Sequence, residues 1–178
     1  EVERSFKLHC CSKLRDFVFK YEDLLGKEIW DVLDEEIQQD PGAFLSAINS
    51  YASRKGNLPI YLLIDEYDNF TNTILSTYGT EYYQKATHGE GFVRGFFNVI
   101  KAATTGTGSA LQRMFITGVS PVTMDDVTSG FNIGTNITTD PWFNDLVGFS
   151  EAELREMLTY YKEQGVLMQT VDETIVMM

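Results

Sequence analysis

Residues Ile60-Tyr61-Leu62-Leu63-Ile64-Asp65-Glu66-Tyr67-Asp68 place five apolar side chains directly before two adjacent carboxylates. A run this short and this apolar reads as a β-strand buried on both faces, the pattern of a strand inside a parallel sheet. Its last residues then deliver charge to the carboxyl edge of the sheet, where α/β folds hold their ligands. This one stretch commits the chain to a helix-rich α/β fold with a parallel sheet.

The flanking segments supply the helices such a sheet needs. Leu14, Phe17, Val18, Tyr21, Leu24 and Leu25 recur at helical spacing and predict a helix from about Ser5 to Leu25. Asp40-Pro41 is a helix start, with Asp as N-cap and Pro in the first turn. Phe44, Leu45, Ile48, Tyr51 and Ala52 form its apolar side, and it stops near Gly56. Residues 71–89 are polar and aromatic and show no clear period. A further helix begins near Gly91, with Phe92, Phe96, Val99, Ile100 and Ala103 on one face. The Gly/Thr stretch 104–109 breaks it; it follows a helix and lacks a Lys-Ser/Thr ending, so it reads as a connector and not a phosphate loop. Residues 113–117 form a second strand, and Ser120-Pro121 opens a short helix near 123–127. Asp140-Pro141 starts another short turn. Ser150 and Glu153 make a capping box, with Phe149 and Leu154 placed as a hydrophobic staple, for a helix that ends at Gly165.

The formal net charge is −12, from 26 acidic and 14 scattered basic residues. Broad binding to a nucleic-acid backbone needs clustered Lys and Arg, so this segment carries no direct nucleic-acid signal. The two cysteines, Cys10 and Cys11, are adjacent and build no disulfide framework. With His9 they form a His-Cys-Cys triplet, but consecutive helical side chains diverge, and packing is the expected role. No apolar run approaches the roughly 20 residues of a membrane span, and cytoplasmic residence is the expectation. The chain starts at Glu1 and ends on Val176-Met177-Met178, which reads as a piece of a longer protein. Only two strands are legible, where a doubly wound sheet has about five or six; the others are expected before Glu1.

An apolar strand ending in Asp-Glu has the form of a Walker B element. There, one carboxylate helps hold Mg²⁺ and the next activates water. Its usual partner, a glycine loop ending in Gly-Lys-Ser/Thr, does not occur in these residues. The phrases LLIDEYDNF, GFVRGFFNVIKAATTG, RMFITGVSPVTMDDVTSGFNIGTNIT and FNDLVGFSEAELREMLTYY together resemble the AAA-ATPase-like family. These proteins are predicted ATPases that often carry a nuclease-like domain of the PD-(D/E)XK type at the C-terminus.

The resemblance covers nearly the whole chain and implies that residues 1–178 are the central and C-terminal part of one AAA-ATPase-like domain. In that reading 60–64 is the Walker B strand, 113–117 a sensor-like strand, and 150–178 the C-terminal helices of a partial P-loop NTPase core. The Walker A loop would lie upstream. The resemblance assigns Asp65 to the metal and cofactor, Glu66 to the attacking water, and Thr117 to the sensor position. Ser120 would face the same pocket. ATP and Mg²⁺ are the implied ligands, a homo-oligomer and the nuclease-like domain the implied partners. The activity implied is ATP binding with Mg²⁺-dependent hydrolysis by the larger protein, this segment alone being inactive. Two other readings share the same residues. One is a nucleotide-dependent switch or scaffold that does not hydrolyse; the other is a nuclease with Asp65, Glu66 and Asp68 as metal ligands. Asp68 on its own reads as a turn residue.

Overall fold

A computed structural model describes residues 1–56, 58–119, 134–143, 146 and 148–177. The order is α1 (Val2–Lys20), α2 (Glu22–Leu25), α3 (Pro41–Gly56), β1 (Ile60–Ile64), α4 (Asn69–Thr87), α5 (Phe92–Thr105), β2 (Leu111–Ile116), α6 (Glu151–Glu163) and α7 (Val171–Met177). Single 3₁₀ turns lie at Lys27–Asp31, Ile37–Gln39 and Pro141–Phe143. The chain divides into two units, residues 1–133 and 134–178.

In the first unit, α3 is the central beam. Asp40 Oδ1 accepts the Ala43 amide at 2.9 Å and the Asp40 carbonyl accepts the Phe44 amide at 2.9 Å, so the expected Asp-Pro start forms. Removing that acceptor with Asp40→Ala is expected to cost about 1 kcal/mol of stability, read as a lower denaturant midpoint with unchanged slope. A shift under a few tenths of a kcal/mol would show that the cap contributes nothing. Phe44, Ile48 and Ala52 of α3 enter one apolar cluster with Cys11, Val18, Leu25, Ile29, Leu33, Ile60 and Leu111. Leu45, on the adjacent side of α3, joins a second cluster with Ile74, Tyr83, Val93, Phe97 and Ile100. Cys10 is half-buried and Cys11 buried. Burial, with Cys11 beside it, pushes the Cys10 thiol up to about 11. The cysteines therefore pack, as expected.

α3 also positions the sheet. Asn49 Oδ1 accepts the Leu111 amide at 2.8 Å and the Ser109 hydroxyl at 2.9 Å. The chain is thereby pinned where β2 begins, two residues earlier than the periodicity predicts; β2 ends at Ile116, and Thr117 lies just beyond it. β1 and β2 pair in parallel, with Leu62 opposite Met114 and Ile64 opposite Ile116. The chain between them forms α4 and α5, the helical crossover that a parallel pair requires.

Two expectations need correction. β1 is not buried on both faces. Ile60 is buried, and Leu62 and Ile64 are half-buried against the two clusters. Tyr61 is 62% exposed and Leu63 74% exposed, with Phe115 of β2 39% exposed. The core clusters lie on one face of the pair, so alternate residues of an all-apolar run meet different surroundings.

The second correction is that residues 69–87 are helical. α4 runs through them, interrupted at Gly79 (φ 79°, ψ 177°). Thr lowers helix propensity, which hid the element. Thr71, Thr73 and Thr87 instead donate to the carbonyls of Asp68, Asn69 and Tyr83, at 2.8–2.9 Å, and Thr71, Ile74, Tyr83, Ala86 and Thr87 supply the buried side.

In the second unit the Ser150–Glu153 capping box forms, with Glu153 Oε2 accepting the Ser150 amide at 2.9 Å and Ser150 Oγ accepting the Glu153 amide at 3.3 Å. Those contacts hold the Glu153 carboxyl below its ordinary value. Phe149 stays 73% exposed, so the expected staple buries little. Thr170 and Glu173 repeat the capping box at α7. Arg155 bridges the two helices, 2.8 Å from Glu151 and 2.6 Å from Asp172. The short helix expected near 123–127 falls outside the described residues. Among the described residues no helix is long and apolar enough to cross a membrane.

Candidate functional site

Just beyond the sheet the two strands stay joined, but out of step. The Thr117 amide donates to the Ile64 carbonyl at 2.9 Å, and the Tyr67 amide donates to the Thr117 carbonyl at 3.1 Å. In a regular parallel ladder, the two residues bonded to Thr117 would flank a single residue opposite it. Here they flank two, Asp65 and Glu66. The juncture is a bulge, and Glu66 takes the left-handed conformation that closes it (φ 50°). For a residue with a Cβ this costs about 1–2 kcal/mol, and such strain concentrates at functional positions.

The bulge brings the predicted residues together. The Thr117 hydroxyl donates to Asp65 Oδ1, and Thr117 Oγ1 accepts the Glu66 amide at 3.4 Å. Asn69 holds the other side of Glu66: its amide donates to the Glu66 carbonyl at 2.9 Å and its side chain to Glu66 Oε2 at 3.2 Å. Asp65 and Glu66 are exposed, while Thr117 is half-buried. Two carboxylates and a hydroxyl thus share the carboxyl edge of a parallel pair, open to solvent. Hard oxygen donors of this kind suit Mg²⁺ with part of its water shell retained. No glycine loop for a triphosphate occurs in the sequence, so these residues fit the metal and water side of a nucleotide site and not its phosphate cradle. Ser120 lies outside the described residues.

Asp68 does not join the exposed carboxylates. It is 2% exposed, and both its oxygens lie within 3.3 Å of the Val119 amide. Among the described residues no three His, Cys, Asp or Glu side chains are arranged to hold a metal ion. The Asp65-Glu66-Asp68 ligand set of the nuclease reading is therefore not assembled. Arg113 is exposed on β2 opposite Tyr61, four residues before Thr117 and so about 13 Å from the edge along the strand. Sequence reasoning missed two participants, Asn69 and Gly118. A Cβ at Gly118 would come 2.3 Å from the Tyr67 ring. The only local signal was a glycine directly after an apolar strand.

The fold and this edge define a helix-rich α/β protein with an acidic strand terminus at the carboxyl edge of a parallel pair. Residues 1–128 match the family model described as AAA-ATPase-like, Predicted AAA-ATPase, and the chain belongs to that family. The match includes both strands, α1–α5 and the acidic edge. Residues 129–178 lie outside the match. No curated protein and no solved structure gives a significant match.

Proposed function

We propose that this chain supplies the metal- and water-facing half of an ATP-hydrolysing site within a P-loop NTPase core. The observation that supports this reading most is the bulge that sets Asp65, Glu66 and Thr117 side by side at the carboxyl edge. Mg²⁺, when bound, would supply positive charge to offset the negative charge that develops on the phosphates. Asp65 would hold it through water. Glu66 would accept the proton of the attacking water, or orient that water toward the γ-phosphate. Thr117 donates its hydroxyl to the Asp65 carboxylate and receives the Glu66 backbone amide, so it ties the Asp65 side chain to the backbone of Glu66. Ser120 follows on the same segment and is assigned to the nucleotide.

One observation favours the second reading, a nucleotide-dependent switch. Asn69 already engages the Glu66 carboxylate, and a glutamate held this way can report on a γ-phosphate without activating water.

The test is phosphate release by the purified full-length gene product, with and without Mg²⁺. Turnover that requires Mg²⁺ and disappears with Asp65→Asn is expected. Mg²⁺-independent turnover, or turnover unchanged in Asp65→Asn, would remove Asp65 from the metal. The 178-residue chain alone is expected neither to bind ATP tightly nor to hydrolyse it, because it has no triphosphate loop; tight binding by that chain in a titration would overturn this assignment of halves.

A further inference from the structure

Asp68 sits where a helix-capping residue belongs. It is the N-cap of α4, yet its side chain makes no capping hydrogen bond to that helix. An Asp at an N-cap ordinarily turns onto the second or third amide of its own first turn. Here the Asp68 carbonyl accepts the Thr71 hydroxyl at 2.9 Å and the Asn72 amide at 2.8 Å, while the carboxylate reaches across to the other loop. Its oxygens are 3.1 and 3.3 Å from the Val119 amide, with the Asn72 side chain at 3.4 Å from Oδ2. Val119 is 51 residues away in sequence.

Burying a carboxylate is expensive unless hydrogen bonds offset the lost hydration. A turn residue free to face solvent gains nothing from the 2% exposure that Asp68 has. The burial makes sense if the contact it secures matters. The contact lies two residues past Thr117, and it is the third link in a row between the loops, after Ile64–Thr117 and Tyr67–Thr117. The first two are backbone bonds that almost any sequence could make. The third depends on a side-chain acceptor at 68, and it holds the chain on the far side of Thr117.

Gly118 permits the approach. A Cβ there would stand 2.8 Å from Asp68 Oδ1 and 2.3–2.4 Å from two carbons of the Tyr67 ring.

We infer that Asp68 is the positioning residue of this edge: its buried carboxylate fastens the loop after β2 to the loop after β1 and so sets Thr117 against Asp65 and Glu66. The inference rests on the ATP-hydrolysis reading for what the positioning serves, but not for the fastening itself. Asp68 touches neither the metal nor the water in this scheme; it acts through Thr117 and the bulge.

The test uses Asp68→Ala and Asp68→Asn in the full-length gene product, with two readouts. The first is amide hydrogen exchange. Asp68→Ala is expected to speed exchange at Val119 by about 10-fold or more, with Leu62 and Leu63 of β1 unchanged. Asp68→Asn, which retains a carbonyl acceptor of the same shape, is expected to stay near wild type. The second readout is steady-state ATP turnover. A displaced reacting group costs on the order of 100-fold in rate, so kcat should fall by that order in Asp68→Ala with KM for ATP little changed, and Asp68→Asn should rescue it.

Unchanged Val119 exchange in Asp68→Ala overturns the inference. So does an Asp68→Asn protein that keeps Val119 protected yet loses as much kcat as Asp68→Ala, because the charge itself would then be what the reaction needs. If wild type shows no turnover, the hydrolysis reading fails and the exchange data still decide the fastening. If Asp68→Ala also loses protection in β1, Gly118→Ala probes the same contact from the other loop. It should raise Val119 exchange and lower kcat with Asp68 intact, and its failure to do either overturns the inference.

Discussion

Glu66→Gln in the full-length gene product is expected to lower ATP turnover by about 10²–10⁴-fold, the range for loss of a general base, while nucleotide binding persists. Gln keeps the length of the side chain and an oxygen for the Asn69 side chain, whose Nδ2 lies 3.2 Å from Glu66 Oε2. It also leaves the left-handed backbone at residue 66 undisturbed (φ 50°), so the bulge and the Thr117 contacts should survive. Only the negative charge and the basic oxygen are lost. Turnover assays paired with equilibrium nucleotide binding separate the possible results. A variant that hydrolyses at the wild-type rate removes Glu66 from water activation. Equal loss of binding and turnover moves Glu66 to the group that holds the metal. A wild-type protein that binds nucleotide and changes conformation without turnover would favour the switch reading.

Phe44→Ala should lower stability by about 3–5 kcal/mol, a large share of the roughly 5–15 kcal/mol that holds a domain together. Phe44 is fully buried, at 0% exposure, in the cluster that joins α1, α3, β1 and β2. It lies one turn before Ile48 on the helix that also carries Asn49, whose side chain pins the start of β2. A cavity at this point therefore loosens the helix that positions the second strand as well as the core. Equilibrium denaturation gives the number, and Phe44→Leu, which keeps most of the volume, should cost clearly less. A loss below about 1 kcal/mol for Phe44→Ala would mean that the core closes over the gap, and that α3 is not the central support described above.

Elements whose signals are local are legible in the sequence alone. The strand at 60–64, the Asp40-Pro41 start, the helix after Gly91 and the Ser150–Glu153 box each rest on residues within a few positions of one another. Asp65 and Glu66 are legible for the same reason. Thr117 needs the family resemblance, because a polar residue ending a strand is common.

What stays hidden depends on distant partners. The bulge exists only because Thr117 spans two residues instead of one, and no feature of residues 60–68 reveals that. Asp68 reads as a turn residue until Val119 is seen across from it. α4 is concealed by its threonines, whose hydroxyls turn back onto the preceding helical turn. The exposure of Tyr61 and Leu63 is concealed as well: hydropathy records what a strand can bury, while the layer packed against it decides what is buried.

That one-sided covering divides a uniform stretch of letters into two interleaved sets. Within this unit, polar replacements at Tyr61 and Leu63, 62% and 74% exposed, fall in the class of surface changes that shift stability by no more than about 0.5 kcal/mol. At Ile60, Leu62 and Ile64 the same replacements strike the two apolar clusters. Mutational tolerance along β1 should therefore beat with a period of two. If related chains stay apolar at positions 61 and 63 as well, the pressure that keeps them so comes from something other than the packing of this unit.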